Sequence, residues 1–112
     1  MSKLTITCTE FEPFTRNTLR GFATIVIAEL KLEIREVSVH EHERGARWAH
    51  PPSRAVIDKD GIARRDTESG RIKYVNMFEF TDKATREAFS RAVIDALLRA
   101  FPNAFATGEE VA

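Results

Sequence analysis

The sequence predicts an α+β domain: a twisted, bulged antiparallel sheet of about four to five strands followed by one C-terminal helix. Three observations carry that expectation. The first half is rich in β-branched residues with period-2 alternation, as in Leu4-Thr5-Ile6-Thr7-Cys8. Pro51-Pro52, Asp60-Gly61 and Ser69-Gly70 then break the chain into short segments. The stretch after Thr81 changes to helical spacing, with Phe89, Val93, Ala96, Leu97 and Ala100 on one stripe.

Each element has its own warrant. Leu4, Ile6 and Cys8 share one face of a first strand, and Thr5, Thr7 and Thr9 the other. Thr15–Thr18 is a turn, because Asn and Thr side chains bond the local backbone. Leu19 to Leu30 is apolar in both parities, Phe22, Val26 and Leu30 against Ala23, Ile25 and Ile27, which suits a central strand. Across Lys31 to His40, Leu32 and Ile34 fall in one parity and Val37 and Val39 in the other. A period-2 strand places all four on one face only with an extra residue, so a β-bulge is expected near Arg35-Glu36.

A turn at Glu43-Arg44-Gly45 leads to a short strand bearing Trp48, which the two prolines end because neither donates to a ladder. From Pro52 to Gly70 runs a long connection in which Val56, Ile57 and Ile62 suit a small hairpin. A last strand is expected at Ile72 to Phe80, with Ile72, Tyr74, Phe78 and Phe80 on one face. Thr81 or Asp82 caps the helix, which stops before Pro102. Residues 1–105 read as one domain, with 106–112 as a frayed acidic tail.

The chain of 112 residues is long enough for one modest core. No apolar run reaches the roughly 18–20 residues of a membrane span. The first residues lack the pattern of a signal peptide, and Cys8 has no disulfide partner. The expectation is a cytoplasmic protein.

Formal net charge is zero, whereas a domain pI above about 9 is the usual footprint of a nucleic-acid binder. The distribution says more than the sum. From Arg44 to Lys73 eight basic residues stand against four acidic ones, while both flanks are mildly acidic. That segment interleaves Trp48 and, just beyond it, Tyr74 with Arg44, Arg47, Arg54, Lys59, Arg64, Arg65, Arg71 and Lys73. Guanidinium groups neutralise phosphates, and exposed aromatics stack on unpaired bases. The competing reading is a solvated loop whose cations pair with Asp58, Asp60, Asp66 and Glu68, with Trp48 and Tyr74 in the core.

On the helix, Lys83, Glu87, Arg91, Asp95 and Arg99 alternate in sign at i,i+4, as a solvated face does. Arg86 lies off that row and suits an external anion better. His40, His42 and His50, with Glu43 or Cys8, match no specific zinc spacing, so no metal and no cofactor is expected. No partnered nucleophile, phosphate loop or acid–base pair stands out, and the chain reads as a non-enzyme.

The stretch IREVSVHEHERGARWAHPPSRAV (34–56) resembles the core of the stage V sporulation protein G (SpoVG, septation regulator) family. The matching features are Ile34, the two-residue gap to Val37 and Val39, Gly45, Trp48, and Pro52-Ser53-Arg54. RNTLRGFATIVIAELKLEI upstream and KYVNMFEFTDKATREAF downstream are similar to its flanking strands and helix start, so the resemblance spans about Leu4 to Leu98. It implies a small homodimeric regulator that binds DNA or RNA, with basic residues near the helix start in contact, here Arg86. The segment from Arg54 to Gly70 is longer than in that family, and the charge excess is missing.

The expected binding residues are therefore Arg47, Arg54, Arg64, Arg65, Arg71, Lys73 and Arg86. Unprotected sheet edges give an independent motive for dimerisation. The alternatives are a PC4-like single-stranded DNA binder, which needs Trp48 or Tyr74 exposed, and a protein-interaction module without nucleic-acid binding.

Overall fold

A computed structural model describes residues 4–106. All of the expected tail except Ala106 lies outside the described residues. The fold is α+β, with an antiparallel sheet in the order β1-β2-β3-β4, a second two-stranded sheet, and one C-terminal helix.

β1 (Ile6–Arg16) and β2 (Leu19–Ile27) form the first hairpin, closed by Asn17 at φ 55°. β1 runs twice as far as its alternation suggests, because Thr9 is bulged out between the pairs Cys8↔Ile25 and Glu10↔Thr24. The slip turns Phe11 to the same side as Ile6 and Cys8, where its ring meets Phe101 with centroids 6.3 Å apart. Gly21 lies beneath it, and a Cβ there would sit 2.5 Å from the Glu12 carbonyl oxygen and 2.6 Å from the Phe11 ring.

β2 ends at Ile27 rather than Leu30, and Ala28–Leu30 form one 3-10 turn with Lys31 at φ 49°. Leu30 and Leu32 are consequently solvent-exposed, against the expectation that Leu32 shares the buried face of Ile34. β3 (Leu32–Glu41) carries the expected bulge. Between the pairs Ile25↔Ile34 and Ala23↔Val37, one residue of β2 faces Arg35 and Glu36, and Glu36 takes a left-handed φ of 59°. Ile34, Val37 and Val39 are all buried as a result.

β4 (Arg47–His50) pairs only with Ser38–Glu41. Pro51 and Pro52 then turn the chain away, and β5 (Ser53–Ala55) pairs with β6 (Tyr74–Asn76) in the small separate sheet. The last expected strand is thus corrected. Only three of its nine residues are strand and Tyr74 is exposed; Met77 N–H still donates to the Pro52 carbonyl at 2.8 Å, and Phe78–Phe80 then leads outside any strand toward the helix. The ladder fails there because the prolines remove the strand it would have joined.

α1 (Lys83–Ala100) lays Phe89, Val93, Ile94, Ala96 and Leu97 on Ile6, Cys8, Ala23, Ile25, Ile27, Ile34, Val37, Val39 and Ala49. Asp82 caps it, its carboxylate accepting from Thr85 N–H at 3.1 Å. The Ser90 hydroxyl accepts from Ala49 N–H at 2.8 Å, covering part of the β4 edge. Among the described residues the opposite face of the sheet has no such cover.

Because Gly21 has no room for a methyl group, Gly21→Ala should lower stability by about 1–3 kcal/mol in urea unfolding, as overpacking does. The Thr85 hydroxyl, then its N–H, holds the Asp82 carboxyl below the ordinary carboxylate range. The cap therefore stabilises at neutral pH, and that contribution is lost as pH falls through the folded pKa. Asp82→Ala should lower the thermal midpoint at pH 7, and the gap to wild type should close in acid.

Candidate nucleic-acid interface

Between Pro52 and Met77 the chain folds as an arm built from two hairpins outside the core. Three backbone bonds tie them at their root. Val56 N–H donates to the Lys73 carbonyl at 2.9 Å, Arg64 N–H to Val56 at 2.8 Å, and Lys73 N–H to Arg64 at 2.9 Å.

Both tips repeat one device. The Asp58 carboxylate accepts from Asp60 N–H at 2.9 Å and Ile62 N–H at 3.0 Å. The Asp66 carboxylate accepts from Glu68 N–H at 2.8 Å and Ser69 N–H at 3.0 Å. Gly61 at φ 79° and Gly70 at φ 72° supply the left-handed residues that the turns require. Asp66 is held below the ordinary carboxylate range mainly by the Ser69 and Glu68 amides.

Turn formation occupies the Asp58 and Asp66 carboxylates with backbone amides, although Asp66 also feels the charge of Lys73. Arg54, Lys59, Arg64, Arg65, Arg71 and Lys73 are exposed, and none has a carboxylate within 4.0 Å among the described residues. Arg65 instead donates to the Gly70 carbonyl at 2.9 Å.

The other two expected site residues lie apart from the arm. Arg86, exposed in the first helical turn, borders a concavity of about 280 Å³ with His50, Asn76, Glu79 and Phe80. Arg47 projects on the helix side of the sheet. It binds the Glu41 carboxylate at 2.8 Å, and its guanidinium carbon lies 4.2 Å over the Phe105 ring. Arg47 is thus already engaged within the fold.

The uncovered sheet face holds the aromatic residues that composition would assign to a core. Trp48 stacks on His40 at 5.3 Å with the rings 3° from parallel. His40 Nδ1 lies 3.1 Å from the Thr18 hydroxyl, and its Nε2 is 3.1 Å from the Ser38 hydroxyl. Burial, then the neighbouring His50 and Arg20, pushes the His40 pKa down, so the ring is neutral at pH 7. Trp48, His40, His50, Phe22, Tyr74 and Asn76 line a shallow concavity of about 720 Å³, with Glu12 and Glu36 also on its wall. Tyr74 is 65% exposed.

Among the described residues no group of three His, Cys, Asp or Glu side chains could hold a metal ion. Cys8 is buried, and burial raises its thiol pKa, which disfavours the thiolate. A scan of protein-family models, a search of curated proteins and a search of solved structures each find no match.

Since the Asp66 carboxylate organises a hairpin that carries no core residue, Asp66→Ala should loosen the arm alone. Limited trypsin digestion at Arg64, Arg65 and Arg71 should accelerate several-fold, while the thermal midpoint barely moves.

Proposed function

We propose that this chain is a small nucleic-acid-binding regulatory protein of SpoVG type, holding DNA or RNA through phosphate contacts from the arm. The carrying observation is the arm's electrostatics: six exposed cations with no carboxylate within 4.0 Å among the described residues, beside two aspartates whose carboxylates accept turn amides. Zero net charge gives no long-range pull, so the affinity is local and sensitive to salt. The resemblance over Trp48–Arg54 supports the regulatory class, and Arg86 extends the phosphate track toward the helix start.

A second reading, the single-strand version, draws on a separate observation. Tyr74 is exposed, and Trp48 lies on the uncovered face of the sheet, where unpaired bases have ring faces to stack on. In that version oligonucleotide quenches Trp48 fluorescence, and single strands compete better than duplex.

The test is fluorescence anisotropy with single-stranded DNA, duplex DNA and RNA at two salt concentrations. Arg64→Ala with Arg65→Ala should weaken binding across all sequences and flatten the logarithmic salt dependence by about one unit per cation removed. Absence of binding at low salt would instead leave a protein-interaction module.

A further inference from the structure

The sheet face that α1 leaves uncovered carries carboxylates as well as rings. After the bulge at Thr9, Glu10 and Glu12 of β1 pair opposite Thr24 and Phe22, on the side away from buried Ala23. Phe14 follows in the same parity and meets Phe22 with centroids 6.4 Å apart. The β3 bulge turns Glu36 toward the same place, where Glu10, Glu12, Thr24 and Glu36 help line a concavity of about 410 Å³. Glu12, Phe22 and Glu36 also border the larger concavity that holds Trp48 and Tyr74, so the two are continuous.

The sign of the charge selects the ligand. Glu10, Glu12 and Glu36 are exposed, and none has a cation within 4.0 Å among the described residues. The arginines of β2 and β3 are already engaged, Arg35 with Glu33 at 2.8 Å and Arg20 with the Asn17 carbonyl at 2.6 Å and Glu41 at 3.8 Å. Unpaired carboxylates among aromatic faces favour an organic cation. Guanidinium suits them better than ammonium, because its plane stacks on rings and its fork fits a carboxylate. A phosphate chain laid here would meet the same carboxylates as repulsion.

The layout sets the ligand's length. Glu10 and Glu36 flank Thr24 across two strand spacings, about 10 Å. Along β3, Glu36 stands four residues before His40, about 13 Å of extended chain, and there the surface becomes aromatic at Trp48 and Tyr74. A single small cation reaches one end only. An extended peptide reaches both, because its alternate side chains share one face.

We infer that the uncovered sheet face docks a short extended peptide, with arginine over Glu10, Glu12 and Glu36 and an aromatic side chain on Trp48 and Tyr74. The neutral His40 ring under Trp48 adds no positive charge to oppose it. The site goes beyond the phosphate-binding arm and uses none of its arginines. It claims the rings that the single-strand reading assigns to bases, so an oligonucleotide is the rival occupant of this face.

Anisotropy of a dye-labelled, end-blocked Arg-Ser-Arg-Ser-Phe peptide tests it on the full chain. Wild type should bind at low salt and lose affinity as salt rises. Glu12→Gln with Glu36→Gln should weaken binding about tenfold, and Tyr74→Ala several-fold. All three side chains are exposed, so circular-dichroism melts should stay close to wild type. Arg64→Ala with Arg65→Ala should leave the peptide's affinity unchanged. No binding at low salt overturns the proposal, as does binding that E12Q/E36Q leaves intact or that a peptide with glutamate for arginine matches. Trp48 quenching by single-stranded DNA that strengthens in E12Q/E36Q, with no peptide bound by wild type, would give the face to bases. Peptide binding without oligonucleotide binding would sink the arm reading only. Arm-dependent oligonucleotide binding without peptide binding would sink this site only.

Discussion

The bulge at Arg35-Glu36 is the constraint on which the rest of the molecule depends. Without it, Ile34 would face one side of the sheet and Val37 and Val39 the other, and no single helix could cover all three. With it, one face becomes continuously apolar, and α1 seals it through Phe89, Val93 and Leu97. The extra residue at Thr9 does the same for β1, bringing Phe11 under Phe101. Two register slips, one in each neighbour of β2, thus convert strands of mixed parity into a sheet with one dry face. Bulges also sharpen twist, and the sheet leaves its other face uncovered.

That division of faces decides where polar and aromatic groups go. Thr18, Ser38, His40, Trp48 and His50 fall on the uncovered side because they alternate with Val39 and Ala49 on β3 and β4 or adjoin them. Hydrogen bonds within the face join Thr18 to His40, Ser38 to His40, and His50 to the Pro51 carbonyl at 2.8 Å. The His40–Trp48 stack needs no charge, and lowering the His40 pKa keeps it neutral. This face presents the His40–Trp48 stack in a shallow concavity, with Glu12 and Glu36 on its wall. The exposed cations sit instead on the neighbouring arm.

Much of this was legible in the residues. The parity change between Ile34 and Val37 locates the bulge, and Asp60-Gly61 and Ser69-Gly70 mark two turns, though that Asp58 and Asp66 hold those turns rather than pair with cations shows only in the structure. The stripe through Leu97 and the cap at Asp82 give the helix nearly residue by residue. What was not legible depends on contacts distant in sequence. The alternation of β1 stops at Thr9, so its second half shows no period until β2 is laid beside it. Tyr74, Phe78 and Phe80 share a parity, but only Phe78 and Phe80 reach the core, because the chain leaves its ladder at Met77. Arg47 looks like the other arginines until its register opposite Glu41 and its place over Phe105 are known.

The same prolines that separate the arm from the main sheet also expose the edge of β3. Pro51 and Pro52 stop β4 after His50, so the ladder beside β3 ends at Ser38 and the strand continues alone toward Leu32. A longer β4 would have closed that edge, and continued pairing would have drawn Ser53–Ala55 into the main sheet. The arm would then have lost its separate root at Val56, Arg64 and Lys73. A single interruption thus creates both a cationic projection and a stretch of β3 edge that β4 does not pair. In this fold the separate arm and the open edge of β3 arise from one local event in the chain, the loss of two amide donors in succession.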